Sequence, residues 1–156
     1  NGEESRAAAG AGWAFLRYAA DRAIPAGDQA PFWRALGSST LTGRANLEAA
    51  LPDELPGYLR DFAGALYADD APGLGSVETW LRLPSWNFRS LFAGVGGYPL
   101  VTTPLVDGTA DTRSYAAGGG TAWLVARVDE NEVGEFSFDL GGAPADDFEV
   151  MLIALP

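Results

Sequence analysis

The first residues whose types and spacing could do chemistry are three acidic clusters: Asp69-Asp70, Asp129-Glu130-Asn131-Glu132 and Asp146-Asp147. Clustered carboxylates beside an Asn can hold calcium, which takes roughly six to eight oxygen ligands. None of the three has the D-x-[DN]-x-[DN]-G spacing of an EF-hand loop, and solvated turns of an acidic chain account for them. Paired carboxylates also serve glycoside hydrolysis. With 21 Asp and Glu among 156 residues, some pair must lie close in space, so spacing selects none. The five tryptophans, Trp13, Trp33, Trp80, Trp86 and Trp123, suit sugar stacking or core packing. Trp13 and Trp33 fall in helical stripes and are assigned to the core. Trp123 alternates out of phase with Ala122, Leu124 and Ala126, which points it to the other side of a sheet. Trp80, Trp86 and Tyr98 are the candidate ligand contacts. The glycine runs at 94–97 and 118–120 lack a following Lys-Ser/Thr and read as turns rather than phosphate loops.

Missing residue types exclude more than the present ones assign. The chain has no His, no Cys and no Lys; its ten basic residues are all Arg. A Ser-His-Asp triad, a Cys-His pair and histidine- or thiolate-ligated zinc are therefore ruled out. So are a Schiff base, a Ser-Lys pair and a P-loop lysine. No residue of this chain is assigned a catalytic, cofactor-binding or metal-binding role. A net charge of -11 without a basic stripe argues against nucleic acid and against anionic membrane surfaces. No apolar run approaches the roughly 18 residues of a membrane span. The first residues, NGEESRAAAGAGW, lack the basic and apolar regions of a signal peptide, so an exported parent would carry its signal upstream.

The elements that must position these residues change character at mid-chain. Residues 11–24, AGWAFLRYAADRAI, place Trp13, Leu16, Ala20, Ala23 and Ile24 on one stripe, widened by Phe15 and Tyr18. Pro25 stops that helix. Asp28 is the expected N-cap of a second helix through Leu36, with Gly37 as its C-terminal cap. Thr42 or Gly43 opens a third helix carrying Leu47, Ala50 and Leu51. Asp53 is the expected cap of a fourth, Glu54 to Ala68, with Leu55, Leu59, Phe62, Ala63, Leu66 and Tyr67 on its apolar face. Pro56 is tolerated there because first-turn N–H groups lack helical partners.

From about Gly96 the pattern turns to alternation and glycine punctuation. Expected strands are 98–106, 112–117, 121–128, 133–140 and 148–155. In the fourth, Phe136, Phe138 and Leu140 alternate with Glu135, Ser137 and Asp139. Asp129–Glu132 reads as a hairpin loop. Pro99 and Pro104 place the first strand at an edge or break it. Helices followed by strands without interleaving predict an α+β fold. Its parts are a helical subdomain at 1–72, an apolar linking segment at 73–97 that packs helices on the sheet, and a small antiparallel β-sandwich-like domain at 98–156. Five strands are few for a sandwich, so another strand, a partner or the helical half must cover the open face.

Several phrases occur in a specific order: GWAFLRYAADR (12–22), PFWRAL (31–36), STLTGRANLEAAL (39–51), YLRDFAGALYADD (58–70) and Ser85-Trp86-Asn87-Phe88-Arg89-Ser90. Together they resemble the region after the zinc site in bacterial hyicolysin-type metallopeptidases, which are HExxH-plus-Glu enzymes. The similarity covers roughly 12 to 92 well and the β part loosely. In that family a W-x-FLRY-x-x-DR helix follows the catalytic helix, and an S-W-N-x-R-S link leads into a C-terminal β region. The family's zinc site needs the two histidines of HExxH, and neither has a counterpart here. Glu3 and Glu4 precede the first helix, but no metal-binding helix accompanies them, so the third-ligand role is not carried over.

The resemblance implies a C-terminal fragment of a peptidase-like protein or a degenerate homologue. The expected role is a non-catalytic scaffold or accessory portion of a secreted, extracellular or periplasmic parent, in which zinc would belong to a fuller chain. Its partner would be the upstream catalytic region or a peptide or protein ligand. The alternative is a stand-alone protein- or glycan-binding module, with calcium as a candidate stabilising ion.

Overall fold

The computed structural model describes residues 6–75, 77–95, 100, 102–106, 121–129, 133–135, 137 and 149–154. The chain divides into two compact units, Asn1–Gly97 with Met151–Pro156 and Tyr98–Val150. The first unit holds α1 (Arg6–Ala23), α2 (Ala30–Ser38), α3 (Gly43–Ala50), α4 (Leu55–Ala68), a 3-10 turn at Thr79–Leu81 and α5 (Phe88–Val95). The second holds β1 (Thr103–Pro104) and β2 (Leu124–Val125).

Helix α1 forms where alanines, the best helix formers, surround the aromatic residues. Ala14, Phe15, Tyr18, Ala19 and Ala20 are buried, and the small residues let α4 approach closely. Phe15 meets the Phe62 ring edge-on at 5.5 Å, and Tyr18 lies 5.4 Å from the same ring. Leu51, Leu55, Tyr58, Ala65, Phe32 and Leu83 complete the core. Fully burying a side chain such as Phe15 or Leu55 is worth about 1.5–3 kcal/mol. Trp13 departs from the expectation: it is 45% exposed. The buried face is centred on Phe15, Tyr18 and Ala19 because Tyr18 and Arg22 bond toward the 3-10 turn and α4, leaving Trp13 on the flank.

Caps differ from the sequence reading by one residue or more. Gln29 precedes α2, while the Asp28 carboxylate accepts from the Ala30 N–H at 2.9 Å. Gly37 lies inside α2, and Ser39 ends it. Thr42 precedes α3, as expected. Glu54 rather than Asp53 precedes α4, with Pro56 in its first turn.

The expected linking segment is part of the helical unit. Leu81 and Leu83 are buried, the latter in the core cluster. Phe88 packs against that cluster from α5. Helix α5 has a local cause: the Asn87 side-chain oxygen accepts from the Ser90 N–H at 2.8 Å, satisfying one of the donors a helix start leaves free.

The antiparallel β-sandwich-like domain is not what forms. Among the described residues, the only strands are β1 and β2. They pair in parallel, Thr103 with Leu124 and Pro104 with Val125. A parallel pair needs a crossover connection, whereas the antiparallel domain expected from the sequence would join neighbouring strands by short turns. The ladder runs from Thr103 N–H to Trp123 O at 2.9 Å and from Leu105 N–H to Val125 O at 2.8 Å. Pro104, which has no N–H, falls between the two donors, so it costs no ladder bond. Residues 133–135, 137 and 149–154 are not in strands, and Val133 is 98% exposed. The expected strand 112–117 and the residues Phe136, Phe138 and Leu140 lie outside the described residues. Alternation specifies which face of a strand is apolar; it does not specify a partner or a direction.

Candidate functional site

Two polar clusters inside the helical unit draw their charged side chains from the phrases singled out in the sequence. The first centres on Asp21, which is 7% exposed on α1. One turn earlier, Arg17 donates from Nη2 to Asp21 Oδ1 at 2.7 Å and to Gln29 Oε1 at 2.6 Å. Gln29 Nε2 donates to Asp21 Oδ1 at 3.0 Å. Ser85 donates twice, from its N–H to Oδ2 at 3.2 Å and from its hydroxyl to Oδ1 at 2.7 Å. Burial by itself would push the Asp21 carboxyl up. The donors of Gln29, Ser85 and Arg17 outweigh it and hold the carboxyl below the usual carboxylate range. This cluster therefore ties Ser85 to the first helix.

The second cluster joins α1 to α4. Asp61 is 2% exposed and accepts from Arg22 Nη1 at Oδ2 and from Arg60 Nε at Oδ1, the latter at 2.7 Å. Arg22 also donates to the Tyr18 hydroxyl and the Gly57 carbonyl, each at 3.4 Å. Its guanidinium sits 4.3 Å above the Tyr58 ring, a cation–π arrangement. Tyr18 donates its hydroxyl to the Trp80 carbonyl at 2.7 Å. Burial, opposed by the neighbouring Arg22, pushes the Tyr18 phenol up to about 12, so it stays protonated and remains a donor.

The carboxylates of the YADD phrase are also engaged. Asp69 accepts from the Leu83 N–H at 3.2 Å. Burial raises its pKa despite that bond, and neighbouring Asp70 adds to the rise. Asp70 adopts the left-handed conformation at φ 50°, which Asp tolerates better than most residues. Its carboxylate accepts from the Asn87 amide. Arg89 donates to the Asp69 carbonyl at 2.9 Å and to the Tyr67 carbonyl. A cation placed there satisfies carbonyls that the end of α4 leaves free and complements the helix dipole. On α3, Asn46 donates to the Leu36 carbonyl at 3.0 Å, and Arg44 pairs with Glu48 at 2.6 Å.

The candidate ligand contacts are only partly brought together. Trp86 is 39% exposed and meets Trp13 edge-on, ring centres 4.7 Å apart. Phe88 stacks on Trp86 at 6.5 Å, and Phe92 stacks on Phe88 at 5.9 Å. This row begins at the surface and ends on α5, where Leu91 is also exposed. Trp80 is 36% exposed, anchored by its carbonyl, and is not a member of the row. Tyr98 lies outside the described residues. Trp13 was missed as a surface residue because helical periodicity reports a stripe without saying where the stripe's edge falls.

Among the described residues no group of three or more Asp, Glu, His or Cys is placed to hold a metal ion. Asp146-Asp147 and residues 130–132 lie outside the described residues. Among the described residues no helix is long and apolar enough to cross a membrane. Two shallow apolar hollows flank α2. One, of about 530 Å³, is lined by Ala30, Trp33, Arg34, Gly37 and Ser38; the other, of about 330 Å³, by Ile24, Phe32, Leu51 and neighbours. Neither contains the convergent polar groups of a substrate site. No family model, curated protein or solved structure matches the chain.

Proposed function

We propose that this chain is a non-catalytic scaffold: the helical support of a metallopeptidase-like protein, with zinc belonging to a catalytic region outside this chain. One observation carries the reading. The polar residues of the phrases that resemble hyicolysin-type peptidases (Arg17, Tyr18, Asp21, Arg22, Asn46, Asp61, Asp69, Asp70, Ser85, Asn87 and Arg89) hydrogen-bond to one another or to the backbone of neighbouring elements. Side chains engaged in this way hold helices in place rather than presenting groups to a substrate. An extracellular or periplasmic setting follows from the same resemblance. The coding region upstream of Asn1 is the direct test. An HExxH motif there is the expected finding, together with no zinc-dependent cleavage of a protein substrate by the purified chain. Zinc-dependent peptidase activity of the chain alone would overturn the reading.

A second reading is favoured by the half-exposed row of Trp13, Trp86 and Phe88, which a pure scaffold does not need. In that case the chain is a binding module for a protein or glycan, and Trp86 is a principal contact. Trp86→Ala is then expected to lower affinity for a bound oligosaccharide or peptide by roughly tenfold or more, as truncation of a central aromatic contact does. Isothermal titration against immobilisable glycan and peptide panels measures it. Equal binding by the two proteins would remove Trp86 from that role.

A further inference from the structure

Gly64 lies in the buried middle of α4, and its missing side chain leaves a socket. A Cβ placed there would collide with the sulfur of Met151 and stand 2.7 Å from Leu81 Cδ2. The thioether of Met151 therefore fills the volume that any other residue at position 64 would occupy. Met151 belongs to the segment Met151–Pro156, which rejoins the helical unit after residues Tyr98–Val150 have formed the other unit. Along this segment, burial alternates: Met151 and Ile153 are half-buried, while Leu152 is 83% exposed. Met151 is thus the first inward residue of the returning chain, and it is seated between helix backbone and a core leucine.

Met151 is also the only methionine of a chain without cysteine, so its sulfur is the one sulfur atom present. As a residue Met151 is half-buried rather than enclosed, and Leu152 beside it is 83% exposed, so local opening of this segment brings the sulfur within reach of a small oxidant. We propose that Met151 is an oxidation site whose conversion to the sulfoxide releases the returning segment from the Gly64–Leu81 socket.

The oxidant is a peroxide. A sulfur lone pair attacks one peroxide oxygen, the O–O bond breaks and an S–O bond forms. With hydrogen peroxide the transferred oxygen gives its proton to the departing hydroxide, which leaves as water. Sulfur loses two electrons and the peroxide gains them. The product is a polar, chiral group in place of a flexible apolar one. The socket offers it a glycine backbone whose N–H and C=O are committed to the helix, and an apolar leucine. A buried polar group without a hydrogen-bond partner is unfavourable, so the oxidised side chain leaves.

The test is peroxide titration of the intact chain, with the added oxygen located by mass spectrometry and the melting temperature followed in parallel. Oxidation is expected to lower the melting temperature by about 3–6 °C and to accelerate proteolysis within residues 149–154. A methionine sulfoxide reductase should reverse both changes. Met151→Leu keeps an apolar plug and should be insensitive to peroxide. Gly64→Ala takes up part of the socket and makes the flexible end of Met151 swing aside, so peroxide should then lower the melting temperature less than it does in the wild type. Complete conversion of Met151 with unchanged melting and proteolysis would overturn the proposal. So would an equal peroxide response in Met151→Leu.

Discussion

Replacing Asp61 with alanine is expected to destabilise the helical unit by about 3–5 kcal/mol, the usual result when one member of a buried ion pair is removed. Asp61 is 2% exposed and is the acceptor for Arg22 and Arg60. Its loss leaves the Arg22 guanidinium, whose side chain is 22% exposed, without a counter-charge between α1 and α4. Arg60 loses less, because its side chain is 41% exposed and water can solvate it. Native domains are stable by only about 5–15 kcal/mol, so the single variant stands near the limit of folding. Arg22→Leu combined with Asp61→Leu removes both charges together. That pair should recover most of the loss, because it leaves no buried charge uncompensated and the half-exposed Arg60 is solvated by water. The Tyr18 hydroxyl keeps its own acceptor, the Trp80 carbonyl, in either variant. Urea unfolding followed by circular dichroism gives the comparison directly. A loss below about 1 kcal/mol in Asp61→Ala would mean that the pair is solvated like a surface one.

Asp21→Ala should cost about 2–3 kcal/mol, because it leaves the donors of Arg17, Gln29 and Ser85 without their shared acceptor. This residue also imposes a direction on the pH dependence. Its folded pKa is held below the unfolded value, which is about 3.9 for Asp. In the window between the two values the unfolded state binds more protons, so stability rises with pH there. The contribution is complete above the unfolded pKa and is lost as pH falls through the folded one. The stability difference between the wild type and Asp21→Asn should therefore be constant from about pH 5 to 7 and shrink below about pH 4. Asp69 acts in the opposite sense, because burial raises its pKa. A difference between two proteins that share Asp69 cancels that contribution. A gap between wild type and Asp21→Asn that widens on acidification would contradict the arrangement around Asp21.

Much of the helical unit was legible before any coordinates. The stretch 55–68 has apolar residues at helical spacing, a proline confined to its first turn and an acidic pair at its end, and it forms α4. Pro25 ends α1 as expected, with α1 stopping at Ala23. The apolar segment 73–97 was expected to be covered; Leu81, Leu83 and Phe88 are, while Trp80, Trp86 and Leu91 stay exposed. Its own structure was less visible. Helix α5 could have been found from Asn87 as a cap ahead of Phe88, Leu91 and Phe92 at helical spacing, but the glycines beside it suggested a link. The half-exposed row was harder to read. Trp13 and Trp86 are far apart in sequence, and periodicity in α1 cannot tell a core edge from a surface edge.

The β region marks the limit most sharply. Of the expected strands 98–106 and 121–128, only Thr103–Pro104 and Leu124–Val125 form a ladder among the described residues, and the two lie in parallel. Strand partners are chosen by hydrogen-bond ladders between distant segments, and no local pattern encodes that choice. The same holds for the polar clusters. Asp21 and Ser85, or Arg22 and Asp61, are ordinary residues of an acidic chain until the helices bring them together.

By itself, the sequence determined what this chain cannot do. Lacking His, Cys and Lys, it has no residue for triad, thiolate, Schiff-base or imidazole–zinc chemistry, because each requires a functional group that must be covalently present. It also determined most of the helices, since helix formation depends on neighbours within a few residues. Only the tertiary structure decided which carboxylates are buried and partnered, that the strands run in parallel, that Trp13 joins Trp86 at the surface, and that Gly64 makes room for Met151. Those outcomes rest on contacts between residues far apart in the chain, whose free energies exist only once the helices have packed.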